Sequence, residues 1–556
     1  MALPRCQATL SFLHSLLDAT EKLLWIPGIY DSVSLFLCDN PVIAHVQVAP
    51  RIDSGTILVE TELRNYSERE AVYTLEHRVH AWNDTRTLAR HEGPSGRLAP
   101  GETARIRSVI EIPDPILWSP ANPFLYVLET SSGGDTVSTR FGMREFRFDT
   151  PTRRAYLNGE MIYLRGSNIT LHRFFEDPDC GTHPWDERWV RRLLVEIPRR
   201  LHWNTFRFCI GPVPQMWFDI ADEAGLLIQN EYPIWVGDFD RHGWSTEAII
   251  RDMRLWMRDH VNHPSVAWWD ACNETRSEVL THEVIPAVRG YDLSDRQWDN
   301  GYGPPVGSHD PIEDHPYLMH RADLELSALE YVRGPVRPNA PHPSGHAAVI
   351  NEYGWLWLNR DGSPTLLTKE VWERRLPGAS PQERMEHHAY LLAGLTEFWR
   401  SRREYAGVLH FVYLTCSSPQ AYTSDHFRDV HALEMHECYL DYLSEAFKPL
   451  GVYVNFWRPE LAAGIRHRFD VSLINDEGRP LTGQVTLRLV TPGGNVLAER
   501  SAPFSLIPFG QQTLWITLDV PKGPEGPVWL RAEALADGAD HPTVCRRKTC
   551  LKVQPS

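Results

Sequence analysis

The sequence is poor in the patterns that mark metal, redox and nucleotide proteins. Its nine cysteines are scattered from Cys6 to Cys550 with no C-x-x-C. That spacing excludes a zinc ribbon or a disulfide-stapled scaffold and leaves free thiols, Cys545 and Cys550 included, as the expectation. Long apolar runs are missing as well. The N-terminal stretch MALPRCQATLSFLHSLLDATEKLLW is amphipathic in spacing but carries Asp18, Glu21 and Lys22, so it reads neither as a signal peptide nor as a membrane span. A soluble, cytoplasmic protein without a membrane partner is expected. Positive charge is in deficit: the formal net charge of −16 argues against a nucleic-acid surface. There is no G-x-G-x-x-G, P-loop, H-E-x-x-H or G-x-S-x-G, which removes the dinucleotide, nucleotide, zincin and serine-hydrolase readings. His342 and His346 in HPSGH have a metal-like spacing, but they sit in a Pro/Gly-rich loop rather than on a helix. No metal and no cofactor is expected.

Aromatic residues are what the chain has in plenty, with 20 Trp, 19 Tyr and 20 Phe. Flat rings suit the C–H-rich faces of sugars, although β-sandwich cores use them too. At 556 residues the chain exceeds what one core supports, and its rhythm changes twice. Residues 41–150 alternate apolar and polar in short runs such as GTILVETELRN (55–65) and TARIRSVIEI (103–112). Turn-rich stretches such as EGPSG (92–96) separate these runs, and RFGMREFRFD (140–149) would close an immunoglobulin-like β-sandwich. Over 151–447 short apolar runs alternate with helical stretches, among them MIYLRG (161–166), GLLIQNE (225–231), TEAIIRDMRLWMRDHV (246–261) and GVLHFVYL (407–414). That alternation predicts a (β/α)₈ TIM barrel. Its fifth and sixth strands, near RQWDNG (296–301) and IEDHPY (312–317), are the weakest. Residues 448–556 return to strands and predict a C-terminal β-sandwich, with KPLGVYVNFWRPEL (448–461) as the connector.

Barrels carry their chemistry at the C-terminal ends of the strands. Two glutamates stand there behind apolar runs: Glu274 in HPSVAWWDACNET and Glu352 in VINEYGW, each preceded by Asn (Asn273, Asn351). Buried carboxyl groups are costly unless paired or used. One use is glycoside hydrolysis, in which one carboxyl protonates the leaving oxygen and the other attacks the anomeric carbon. Mutual repulsion is expected to keep one of them protonated. Spacing alone also permits structural ion pairs with Arg207 or Arg165, as the lesser reading.

At these residues the chain resembles glycoside hydrolase family 2, the family of β-galactosidases, β-mannosidases and β-glucuronidases. The motifs that carry the resemblance are LWSPANPFLYVL, RFGMREF, LNGEMIYLRGSN, NTFRFCIGPVPQMWFDIADEAGLLIQNE and above all HPSVAWWDACNE. GIYDSVSLFL (28–37) resembles the last strand of that family's N-terminal sugar-binding domain, so residues 1–40 read as a remnant where the family has a whole β-domain. The resemblance implies that Glu274 is the acid/base and Glu352 the nucleophile. It also implies that Asn273 bonds the sugar 2-hydroxyl, that Arg207 keeps the nucleophile ionised, and that Tyr317 bonds the nucleophile. DACNE departs from the commoner Gly-Asn-Glu ending.

Weaker candidates stand beside their plainer readings. Glu231 ends the third strand as a sugar ligand or an ion-pair partner. Trp235 and Trp355, with Trp357, form a sugar platform or core. Asp299, with Asn300, lines the pocket or caps a loop. The expected function is a retaining exo-β-glycosidase acting on an oligosaccharide or glycoside, with β-galactoside slightly favoured over β-mannoside and β-glucuronide. The alternative is a non-catalytic carbohydrate-binding protein. A homo-oligomer is compatible with either.

Overall fold

The structure is a computed structural model describing residues 29, 31–235, 239–331, 345–523 and 525–553. The amphipathic stretch 1–25, most of the 1–40 segment's N-terminal part, and His342 lie outside them. The period-two alternation near the N-terminus builds two antiparallel sheets. One holds Val42–Arg51, Thr56–Arg64 and Thr103–Glu111; the other holds Thr87–Leu98, Ala71–Ala81, Tyr126–Ser132 and Asp135–Phe141. Ile57, Val59, Leu75, Val79 and Leu128 share one core between them.

Two expectations need correction here. EGPSG does not separate strands; it lies inside Thr87–Leu98, where the register against Ala71–Ala81 shifts. That strand is an edge, so a proline there removes no required ladder bond. Nor does the chain through Phe146–Asp149 close this sandwich. It pairs with Arg154–Leu157, which pairs with Glu160–Ile162. Phe146 and Phe148 pack on Trp268 together with Leu164, Val349 and Leu409, so the small sheet plugs the N-terminal end of the barrel.

The barrel strands are β1 (Leu164–Ile169), β2 (Thr205–Phe208), β3 (Leu227–Glu231), β4 (Val266–Asp270), β5 (Trp298–Asp299), β6 (Ile312–Asp314), β7 (Ala348–Ile350) and β8 (Tyr405–Leu414). They pair in the order β5-β4-β3-β2-β1-β8-β7-β6, all parallel. The first strand therefore starts three residues after the run MIYLRG does. Among the described residues no ladder joins β5 to β6. The seam is bridged instead by the Trp298 N–H donating to Asp310 Oδ1 (3.1 Å) and by the Gln297 amide donating to the His309 carbonyl (2.6 Å). Helices on the outside begin where the sequence caps them. Pro381–Arg400, for example, starts with a Ser380/Glu383 capping box and proline at its first turn, which satisfies otherwise orphaned N–H groups.

The C-terminal strands form two further sheets around a second sandwich core. The expected connector 448–461 is a correction: it contributes Leu450–Val454, antiparallel to Arg466–Asn475, and the start of Glu460–Ala463. Cys545 and Cys550 are free thiols. Among the described residues no helix is long and apolar enough to cross a membrane.

Asp476 fastens this sandwich to the barrel. Its buried carboxylate meets Arg400 at 2.7 Å, Arg403 at 2.8 Å and Arg165 at 3.1 Å. Burial favours its neutral form, but the three guanidinium groups outweigh burial and hold it far below the usual carboxylate range. Asp476→Ala leaves those charges facing each other without a counterion and should cost about 3–5 kcal/mol. Urea unfolding of the variant checks this; an unchanged midpoint would mean that the triple contact is not part of the docking.

Candidate active site

Arg207 organises the upper end of the barrel. It lies on β2 with its side chain fully buried. Its Nη1 donates to Glu352 Oε1 at 2.6 Å and to Asn168 Oδ1 at 3.3 Å, and its Nη2 donates to Asn273 Oδ1 at 2.7 Å. The same guanidinium faces Glu231 Oε2 at 2.5 Å and, at 3.4 Å, both Asp270 and Glu313. Burial disfavours its charge, but Cys209, Glu231, Glu313 and Glu352 outweigh that cost and raise its pKa. A planar fork is the side chain that can serve several oxygens at once.

Glu274 and Glu352 share one cleft. One oxygen of each, together with a ring nitrogen of His315, all lie within 4.8 Å of one another. The second Glu352 oxygen accepts from the Tyr317 hydroxyl. Glu274 Oε1 accepts from the Tyr302 hydroxyl at 2.8 Å and from His315 Nδ1 at 2.9 Å, and that same nitrogen is 3.7 Å from Glu352. The other ring nitrogen meets Glu313 Oε2 at 3.1 Å, and this oxygen also accepts from Asn351 at 2.8 Å. Burial works against a charged His315, yet Glu352, Glu313 and the bonds to Glu274 and Glu313 raise its pKa well above the ordinary value. For Glu274 burial pushes upward, but the His315 bond and charge and the Tyr302 bond overcome it, and the carboxyl lies below its usual range. The direction at Glu274 is thus set by His315 and Tyr302 rather than by repulsion from Glu352.

Backbone conformation is unusual at the same place. Glu274 has φ +45°, and Trp355 and Leu356, three and four residues past Glu352, have φ +81° and +65°. Such values are costly for side-chain-bearing residues and persist only when the surroundings enforce them. Gly354, at φ +124°, gives the chain after β7 the freedom to turn. The turn carries Trp355 against Trp357 (4.8 Å between centroids) and Tyr317 (5.2 Å). Trp357 is buried, with its N–H on the Phe411 carbonyl at 2.8 Å. Trp355 and Trp235 stay half-buried beside it, with Arg173 over the Trp235 ring at 5.3 Å.

Not every expected ligand reaches this cleft. Glu231 is shut inside the barrel, paired with Arg207 and accepting from the Ile210 N–H at 2.5 Å. Asp299 is equally enclosed, and Asn300 caps its loop through Thr281 and Pro304. Both acids end short strands whose side chains point into the barrel rather than out of its mouth. His346 of HPSGH bonds the Asp310 carbonyl at 2.7 Å. His315, Tyr302, Glu313 and Asn168 were not singled out from the sequence. His315 stood in the HPY triplet quoted for its tyrosine, whereas nothing in local spacing points to Tyr302.

A family model described as glycosyl hydrolases family 2 matches residues 42–144. A beta-glucuronidase of Formosa agariphila is 23% identical over 250 residues, covering 43% of this chain and 24% of the relative. A beta-galactosidase of Vibrio cholerae is 25% identical over 375 residues, covering 62% of this chain and 33% of the relative. These alignments thus span a quarter to a third of the relatives' own lengths. Among solved structures, a beta-D-mannosidase from Dictyoglomus thermophilum superposes with a TM-score of 0.64 at 14% identity, covering 91% of this chain and 66% of that one.

Proposed function

We propose that the chain is a member of glycosyl hydrolases family 2, whose model matches residues 42–144, and that it is a retaining exo-β-glycosidase using Glu352 as nucleophile and Glu274 as acid/base. The single observation that carries this is the Glu274–Glu352 approach within 4.8 Å. Double displacement needs the two carboxyls about 5–5.5 Å apart, whereas an inverting pair needs about 6.5–9.5 Å to admit water. Arg207 and Tyr317 each take one Glu352 oxygen, which fixes the direction in which the carboxylate points. In this reading Asn273, which accepts from Arg207 at 2.7 Å, bonds the sugar 2-hydroxyl. Trp355 and Trp235 offer ring faces beside it. We read the two flanking sandwiches as immunoglobulin-like and the protein as cytoplasmic.

The proton delivered to the leaving oxygen is held by a pair rather than by one residue. His315 carries it beside Glu274, 2.9 Å away, and Glu274 passes it on when the glycosidic oxygen arrives. Coupled groups titrate together, and the second proton of such a pair leaves late. Removing His315 leaves Glu274 alone to hold that proton. His315→Gln should therefore move the basic limb of the kcat/KM profile to lower pH and reduce activity at neutral pH. A limb that stays in place would mean that Glu274 alone stores the proton.

A panel of chromogenic β-galactoside, β-mannoside and β-glucuronide tests the reading and selects the sugar. Turnover of one member, lost in the Glu352 variant, supports it. Binding of sugars without turnover of any would favour the non-catalytic carbohydrate-binding alternative.

A further inference from the structure

Below the catalytic pair the barrel interior holds a second group of acids that the glycosidase reading does not use. Asp270 and Asp299 end β4 and β5, Glu313 is the middle residue of β6, and each is at most 1% exposed. One oxygen from each lies within 4.8 Å of the other two. Carboxyl groups so close and so deep are mutually repulsive unless something positive lies among them. Two cations are near, and both are committed. Arg207 serves Glu352, Asn273, Glu231 and Asn168, touching Asp270 and Glu313 only at 3.4 Å. His315 spends its two ring nitrogens on Glu274 and Glu313 Oε2.

What these cations leave over is a set of acceptors. Both oxygens of Asp299 and Oε1 of Glu313 are buried without a hydrogen-bond partner, and so is Oε1 of Gln229, whose amide donates to Asp270 at 2.8 Å. Asn351 repeats the pattern: its amide donates to Glu313 while its own oxygen is unpartnered. Buried polar atoms are almost always satisfied. When the unsatisfied atoms in one place are oxygens, the missing partner is a cation, a proton or the O–H of a water molecule.

We propose that Asp270, Asp299 and Glu313 form a binding site for one hard divalent metal ion of the Ca²⁺/Mg²⁺ class. An all-oxygen donor set selects hard ions over zinc or copper. Metal–oxygen bonds of about 2.0–2.6 Å place two ligands of one ion at most about 4–5 Å apart, the spacing seen here. Three carboxylates more than offset a double charge, with Gln229 and Asn351 adding neutral unpartnered oxygens. Glu313 would then join the ion to His315, and Asp270 would join it to Arg207, so the metal would brace both positioning cations from below. Burial, then Glu313 and Asp270, push the Asp299 carboxyl well above its ordinary range. This names the rival: Asp299 could instead stay neutral and satisfy its neighbours as an acid.

Terbium separates the two. It is an oxygen-seeking ion whose emission is excited through nearby indoles, and Trp298 and Trp269 adjoin Asp299 and Asp270 in sequence. In the full chain stripped by a chelator, Tb³⁺ should give saturable emission with one equivalent, displaced by Ca²⁺. Millimolar Ca²⁺ or Mg²⁺ should raise the melting temperature by several degrees, since binding to the folded state stabilises it. Asp299→Asn, which mimics the neutral acid, should lose both effects while leaving the other acidic clusters intact. Equal Tb³⁺ emission in Asp299→Asn would place the ion elsewhere and overturn the proposal. A wild-type melting temperature indifferent to chelator and to both metals, with no saturable Tb³⁺ signal, would overturn it without recourse to any variant.

Discussion

Glu352→Ala should lose turnover of an activated β-glycoside by about 10⁴–10⁶-fold, the scale on which removing a covalent nucleophile is felt elsewhere. The reason is geometric. On the proposed mechanism the carboxylate held by Arg207 and Tyr317 is the group that attacks the anomeric carbon from the face opposite the leaving oxygen. Arg207 keeps its other partners, Glu231 and Asn273, so the barrel should stay folded. Truncation opens room on the nucleophile's face, and azide entering there should displace the aglycone directly and yield the α-glycosyl azide. A variant that keeps ordinary turnover would reduce Glu352 to an ion-pair partner of Arg207.

Glu274→Ala should show the complementary behaviour. Loss of a general acid costs about 10²–10⁴-fold, and the cost should depend on the leaving group. Substrates with acidic phenols, which need little protonation, should still form the glycosyl-enzyme and then stall, because no base activates water. Azide should relieve the stall and, attacking from the face Glu274 occupied, give the β-glycosyl azide. The two variants therefore yield products of opposite anomeric configuration from one substrate. If the products are exchanged, the two roles are reversed.

How much of this could be read from residues depends on length and burial. The long alternating runs and the strand–helix rhythm were legible because each repeats over many residues; the short strands were not. β5 has two residues and β6 three, too few for periodicity to register, and it is these strands that carry Asp299 and Glu313. An acid inside a strand argues locally for exposure. Only the closed barrel, with Arg207 threaded through it from β2, makes burial of Glu231, Asp270 and Glu313 tolerable. That compensation joins β2, β3, β4 and β6, and no local window contains it. For Glu231 and Asp299 the residues accordingly leave substrate ligand and structural role equally open, and the structure encloses both inside the barrel. The edge position of Thr87–Leu98 hid a strand behind EGPSG for the opposite reason: turn residues are allowed where no ladder bond is needed. Glu274 and Glu352 stood out because each ends an apolar run, and apolar runs are what a barrel buries.

The central claim is that the reaction passes through a covalent bond to Glu352. It is tested most directly by the 2-deoxy-2-fluoro analogue of whichever β-glycoside the chromogenic panel selects, carrying a good leaving group. Fluorine at that position slows breakdown of the glycosyl-enzyme, so the adduct accumulates and can be weighed and located by mass spectrometry of the digested protein. The account predicts one sugar per chain, on the peptide containing Glu352, with activity returning as the adduct turns over. A label on Glu274, or turnover of the parent glycoside to the inverted sugar with no adduct on any residue, would contradict it.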